Sequence, residues 1–100
     1  MPAAVYSFAS EVWEWESQAS WYFVSVPEEA ADDIEQQFGG RAGGFGSIRV
    51  EVTIGATTWR TSLFPDSARK TYVLPVKKAV RRAEDLDAGS IAAVELRVVI

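Results

Sequence analysis

Residues 48–65, IRVEVTIGATTWRTSLFP, decide the fold that this sequence predicts. Apolar residues occupy every second position of 48–54, which is the period of a strand with one buried face. The Gly55–Ala56 pair that follows is a plausible two-residue hairpin connection of the Gly-X kind. It joins this strand to a second one, 57–64, which ends before a proline. The stretch therefore predicts a β-hairpin.

The second strand of this hairpin has two chemically different faces. Alternation places three side chains on the face that we expect to fill the interior: Trp59, Thr61 and Leu63. The other face carries Thr58, Arg60, Ser62 and Phe64. Arg60 is the residue that would anchor a site, since its planar guanidinium recognises carboxylate or phosphate. The alternative is that Arg60 only pairs with an acid such as Glu51 on the neighbouring strand.

With the hairpin included, the whole chain predicts six strands and two short helices, in the order two strands, helix, three strands, helix, strand. The further strands are expected in the N-terminal stretch to residue 16, with a bulge or bend near residue 12, and at 20–26, 71–76 and 91–100. The helices are expected at 27–38 and 77–86, a glycine-rich loop at 39–47 and a turn at 65–70. The predicted fold is mainly β: a small closed or nearly closed six-stranded barrel capped by the two helices. A closed barrel has no exposed strand edges, and it would give Trp15, Trp21 and Trp59 a shared interior. A two-layer α+β sheet is the alternative.

Composition bounds the class of protein. One hundred residues predict a single domain, 1–100, and the chain contains no Cys, no His and no Asn. Catalytic pairs that need Cys or His, and metal sites built on them, are therefore excluded, and we expect no metal and no cofactor. The start of the chain shows neither a basic leader nor an apolar signal stretch, so the cytoplasm is the expected compartment and no membrane contact is expected.

Charge divides the chain into two parts. Residues 1–40 hold eight acidic residues and no basic one, whereas residues 41–100 hold ten basic and six acidic ones. The segregation predicts either solvated surfaces that face each other or a basic surface that attracts an anion. The overall acidity argues against a nucleic-acid binder, although a nucleic-acid-binding barrel stays an alternative.

Basic residues on the second helix form the strongest candidate site. They cover one side of it as a compact patch: Lys77, Lys78, Arg81 and Arg82. Together with Arg60, Ser62 and Thr58 they predict a non-catalytic binding module for a small anion or an acidic protein, in a monomer or weak dimer. The enzymatic alternative is a hydrolase that uses carboxylates, such as Glu11, Glu14 and Glu16, or Ser62 with Lys70 or Lys77.

Three stretches together resemble the DUF1905 family of domains of unknown function: WYFVSVP, GFGSIRVEVTIGATTWRTSLFP and TYVLPVKKAVRRAEDLDAGS. The resemblance rests on a Trp-Arg-Thr-Ser strand ending in Phe-Pro, a Leu-Pro-Val-Lys segment and a basic helix, and it covers about residues 5–98. The glycine-rich stretch GGRAGGFG departs from the family pattern by its length.

The resemblance implies a double-split β-barrel capped by helices, in bacterial and archaeal proteins that occur alone or fused ahead of a bacteriocin-protection-type domain. The barrel type is similar to that of antitoxin and transition-state-regulator DNA-binding proteins, which build it as intertwined dimers. The family carries no established catalytic residues, so the resemblance assigns no catalytic role to this chain.

Overall fold

The computed structural model describes residues 4–16, 21–41, 43 and 46–99. In chain order the elements are β1 (Val5–Glu14), β2 (Tyr22–Ser25), α1 (Glu28–Phe38), a 3₁₀ turn (Gly39–Arg41), β3 (Ile48–Ile54), β4 (Thr57–Asp66), β5 (Thr71–Pro75), α2 (Lys78–Ala83) and β6 (Ile91–Val98). The strands close a barrel in the order β1-β2-β5-β4-β3-β6, and every neighbouring pair is antiparallel. The predicted class and order of elements are confirmed.

The β3–β4 hairpin forms as the sequence predicts. Ile54 lies opposite Thr57 across the Gly55–Ala56 turn. The φ of Gly55 is +59°, whereas the φ of Ala56 is not positive. This combination is that of a type II′ turn. This turn matches the twist of the flanking strands and so sets the register of the whole hairpin.

Both helices cap the barrel through a few buried side chains. Ile34 of α1 and Val80 of α2 are at most 1% exposed and pack in the same core as the inward residues of the strands. Two tyrosines fasten α1 to the strands, because the Tyr6 hydroxyl donates to Asp33 and the Tyr72 hydroxyl donates to Glu35. The longer helix, α1, has 11 residues, and within the described part of the chain no helix is both long and apolar enough to cross a membrane.

Three expectations need correction. Trp15 and Trp21 are not in the interior: they are 40% and 51% exposed on the outside of the barrel, and only Trp59 packs against the core. Strand β1 has no inserted residue near position 12: its register is unbroken in both ladders, and its partner changes from β6 at Glu11 to β2 at Val12. Strand β4 extends to Asp66, because Pro65 pairs with a β5 residue without needing its missing N–H, and the turn is confined to residues 67–70.

Other boundaries move less. Helix α2 ends at Ala83, earlier than predicted, and β6 ends at Val98. Parts of the predicted strand 20–26, loop 39–47 and strand 91–100 lie outside the described residues.

The seam between β4 and β5 is only partly paired. Among the described residues, β4 pairs with β5 over Phe64–Asp66 alone, whereas it pairs with β3 over Thr57–Leu63. The first half of β4 therefore has a strand on one side only. The chain segment that follows β5 lies across from this open edge.

Candidate functional site

A groove of about 500 Å³ lies at this open seam. We call it the cationic groove, because four basic side chains line it: Arg60 from β4, Lys77 from the N-cap of α2, and Lys78 and Arg81 from α2 itself. Trp21, Tyr22 and Trp59 contribute aromatic walls. No acidic side chain is among the described residues that line it. The barrel thus brings together four of the seven side chains that the sequence marks as a site.

Arg81 is the most firmly held of these cations. Its guanidinium carbon lies 3.8 Å from the centre of the Tyr22 ring, and its Nε donates to the Val76 carbonyl oxygen at 3.1 Å. The two contacts restrict the rotamers of a long side chain before any ligand arrives. An anion that meets Arg81 therefore loses less side-chain entropy than one that orders a free arginine.

Arg60 is held loosely. Its Nε donates to Glu51 at 3.4 Å, which confirms the cross-strand pair, but the Arg60 side chain is 62% exposed. Glu51 has a closer partner in Arg97, whose Nη2 lies 2.6 Å away. The hydrogen bond from Arg97 is the main reason why the pKa of Glu51 lies below its ordinary value, and Arg60 contributes less. Because an exposed pair of this kind contributes little stability, Arg60 is able to turn toward a ligand at small cost.

Lys77 and Lys78 lie at the N-terminal end of α2, where a positive charge does not stabilise the helix. Lys77 is the N-cap of α2 and Lys78 its first residue, and peptide dipoles disfavour cations at this end. Arg82, in the last turn, sits where the dipole does favour a cation, and it lines a different depression together with Asp85 and Asp87. The two lysines thus strengthen the positive field of the groove without serving the helix.

Thr58 and Ser62 share the outward face of β4 with Arg60 but do not line the groove. The Thr58 and Thr53 hydroxyls are hydrogen-bonded to each other at 2.8 Å, and Ser62 lies opposite Arg49. A Ser–Lys pair needs a lysine whose pKa is lowered by burial, and no charged residue is buried in the described part of the chain.

A second groove, of about 570 Å³, lies on the outer face of β2 and β5. We call it the aromatic groove, after the rings that line it: Trp13, Trp15, Trp21, Phe23 and Phe64. The Trp13 and Phe23 rings stack at 5.0 Å between centres, and the Trp15 ring meets those of Trp21 and Phe23 edge-on at 6.3 and 6.5 Å. Trp21 and Pro75 line both grooves, so the two grooves adjoin.

The aromatic groove is the feature that sequence reasoning missed. A signal was present: Trp13 and Trp15 have the opposite parity to Val12, which is fully buried, so alternation alone puts both rings outside. The exposed fraction of the rings is large for a small domain, with Trp15 at 40%, Trp21 at 51% and Phe64 at 42%. Because contiguous exposed apolar patches are common at interaction sites, the aromatic groove is a second candidate site.

An ion pair closes the far end of the aromatic groove. Arg69 lies over the Trp13 ring, 3.8 Å from its centre, and its Nη1 donates to Asp66 at 3.0 Å. Burial opposes ionisation of Asp66, but the backbone N–H and the guanidinium of Arg69, with the N–H of Ala68, hold its pKa below the ordinary value. The rim is therefore charged at neutral pH while the floor is apolar.

Neither groove offers a metal site of the usual kind. Within the described ranges no three Asp or Glu side chains converge closely enough to hold a metal ion.

Fold and site together define a single-chain antiparallel barrel of six strands, with a cationic groove at one open seam and an aromatic groove beside it. The chain belongs to the DUF1905 family, described as a domain of unknown function, whose model matches residues 8–96. No curated protein matches the chain.

Proposed function

We propose that this domain is a non-catalytic binding module that takes an anionic group of its partner into the cationic groove. The observation that supports the proposal is the convergence of Arg60, Lys77, Lys78 and Arg81 on one groove without an acidic side chain on its described lining. The residues come from two separate segments of the chain, so the arrangement is a product of the fold and not of a local run of charge. A volume of about 500 Å³ lies within the usual range of ligand sites.

An enzymatic role receives no comparable support. The lysines that a Ser62 nucleophile would use, Lys70 and Lys77, are exposed, whereas such a pair needs a buried lysine. The carboxylates Glu11 and Glu14 are both exposed, and their opposite parity places them on opposite faces of β1, so they do not form a pair with each other. Binding is the better supported function.

The test is thermal unfolding at low salt in the presence of inorganic phosphate, citrate, nucleoside monophosphates, acidic peptides or short oligonucleotides. A ligand at a hundred times its Kd stabilises the folded state by about 2.7 kcal/mol. We expect such a shift from at least one anion, and we expect added salt to reduce it because the contacts are charged.

The decisive comparison uses two variants, one with cations removed inside the groove and one with a cation removed outside it. Arg60→Ala with Lys77→Ala removes two groove cations and should abolish the shift. Arg82→Ala removes a cation from the same helix but outside the groove, and should retain it. Equal loss in both proteins would mean that net charge alone attracts the anion, and the groove would not be the site.

A further inference from the structure

The open edge of β4 presents unpaired backbone groups to the cationic groove. In a two-residue hairpin the closing residues form a hydrogen-bonded pair, and such pairs then alternate with non-hydrogen-bonded ones along the ladder. With Ile54 opposite Thr57, the residues of β4 that bond to β3 are the odd-numbered ones. The N–H and C=O groups of Thr58 and Arg60 therefore point away from β3, toward the seam. In the described part of the chain no strand pairs with them there.

Pro75 explains why β5 does not cover this edge. The Val76 N–H donates to the Tyr22 carbonyl oxygen, and the Val26 N–H donates to the Tyr72 carbonyl oxygen. The backbone N–H and C=O groups of even-numbered residues in β5 and just after it therefore point toward β2. The backbone groups of odd-numbered residues point toward β4, and Val73 accordingly lies opposite Phe64. Pro75 is the next residue on that side, and it has no N–H to donate. The ladder stops there, and the chain leaves the sheet for α2.

The chemistry around the edge selects what can pair with it. Arg60, Lys77, Lys78 and Arg81 surround the seam, so an added strand that carries carboxylates meets opposite charge along its length. A free anion satisfies these cations but leaves the N–H and C=O groups of Thr58 and Arg60 to water. An extended peptide satisfies both, since strand addition supplies main-chain hydrogen bonds and side-chain pockets together.

The aromatic groove gives such a peptide a place for an apolar side chain. It shares Trp21 and Pro75 with the cationic groove, so a chain lying along the open edge leads directly onto the exposed rings of Trp15 and Phe64. Trp13 needs nothing from a ligand, because its indole N–H already donates to the Ser25 hydroxyl at 3.0 Å. Rigid aromatic surface beside a charged region is typical of the residues that carry most of the binding energy in interfaces.

We propose that the partner is an acidic peptide segment in extended conformation, which adds a strand to the open edge of β4 and places one aromatic side chain in the aromatic groove. This deepens the proposed function and rests on it. The open edge from Thr58 to Ser62 spans about 13 Å, which corresponds to roughly four or five peptide residues at 3.3 Å each. The peptide strand continues the sheet where Pro75 interrupts it.

The experiment measures the affinity of a capped eight-residue peptide with alternating Glu residues and one terminal Phe, by fluorescence anisotropy at low salt. Trp15→Ala should weaken binding about tenfold or more, as expected for a buried aromatic anchor. Ile91→Ala is the matched control, because Ile91 is 65% exposed and lies outside both grooves, and it should leave the affinity unchanged. Replacing the peptide's Phe by Ala should reproduce the loss that Trp15→Ala causes.

Backbone pairing has its own readout. Two peptides are compared, one N-methylated at its odd-numbered residues and the other at its even-numbered residues. Only one of these sets of N–H groups faces β4, so one peptide should lose about fivefold in affinity per methylated site and the other should lose none. Hydrogen exchange of the Thr58 and Arg60 amides should slow in the complex. Uniform tolerance of N-methylation, with unchanged exchange at both amides, would overturn strand addition.

The outcomes separate the two proposals. If phosphate or citrate binds and depends on Arg60 and Lys77, while the peptide binds no tighter than free glutamate, the anion site stands and the peptide proposal is wrong. If an oligonucleotide binds more tightly than the peptide, or a second copy of the chain occupies the seam and doubles the mass in solution, the peptide proposal is also wrong. If no anion binds at all, both proposals fail.

Discussion

Removal of the Tyr72 hydroxyl tests how the barrel holds α1. Tyr72 is 5% exposed, and its hydroxyl donates to Glu35 of α1 at 2.6 Å. Because Glu35 is exposed and water can replace the lost donor, Tyr72→Phe costs only the net value of the hydrogen bond, about 1 kcal/mol. For a domain of this size we expect Tm to fall by about 4–8 °C.

The same pair predicts a dependence on pH. Burial is the main cause that raises the pKa of Tyr72 to about 12, and the hydrogen bond and charge of Glu35 add to it. An unfolded tyrosine titrates near pH 10. Between these values the unfolded chain releases a proton that the folded chain keeps, so the stability conferred by Tyr72 is complete below pH 10 and is lost as pH rises toward 12.

Urea unfolding followed by tryptophan fluorescence at pH 7.5 and pH 11 measures both effects. The free-energy difference between the native chain and Tyr72→Phe should narrow at pH 11, because phenylalanine does not titrate. Glu35→Gln is the control, since its amide oxygen still accepts the hydroxyl and it should cost less at pH 7.5. A Tyr72→Phe protein that equals the native chain at pH 7.5, or a difference that stays constant to pH 11, would refute this account of the contact.

Two further predictions concern the turns at the two ends of β4. Gly55→Ala should destabilise the fold by about 1–2 kcal/mol in urea titrations, because alanine is strained at a φ of +59° and its Cβ would collide with a Glu84 carboxylate oxygen. Gly40→Ala, with open space around it, should be neutral or slightly stabilising. Asp66→Asn should lower stability at pH 7 by well under ~1 kcal/mol and leave it unchanged at pH 2, since the lowered pKa of Asp66 confers stability above about pH 4 that is lost on acidification. An Asp66→Asn loss that persists undiminished at pH 2 would mean that shape, and not the charge beside Arg69, sets the turn.

The hairpin at 48–66 shows why the fold was predictable from sequence. Its alternation and its Gly-X turn are set by contacts between near neighbours in the chain, so the sequence displays both partners of each interaction. Strand β4 still extended two residues beyond the prediction. Pro65 suggested a turn, and only its register opposite Tyr72 shows that its missing N–H is not needed there.

The candidate site was predictable in its chemistry but not in its shape. The sequence identifies Arg60 and the basic helix, yet their convergence depends on the barrel order, which places β5 and its successor helix beside β4. The contact of Arg81 with Tyr22 joins residues 59 positions apart and leaves no local signal. Trp15 and Trp21 were assigned to the interior because large apolar residues are usually buried, and both instead line the aromatic groove on the outside of the barrel.

The open edge of β4 also bears on the solubility of the protein. An unpaired strand edge is a template on which identical chains can polymerise, and proteins commonly guard such edges with lysine and arginine. Two copies that brought these edges together would bring Arg60, Lys77 and Lys78 of each against those of the other. The cations that would draw in an acidic chain therefore also repel the protein's own copies, and raising the ionic strength should weaken both effects at once.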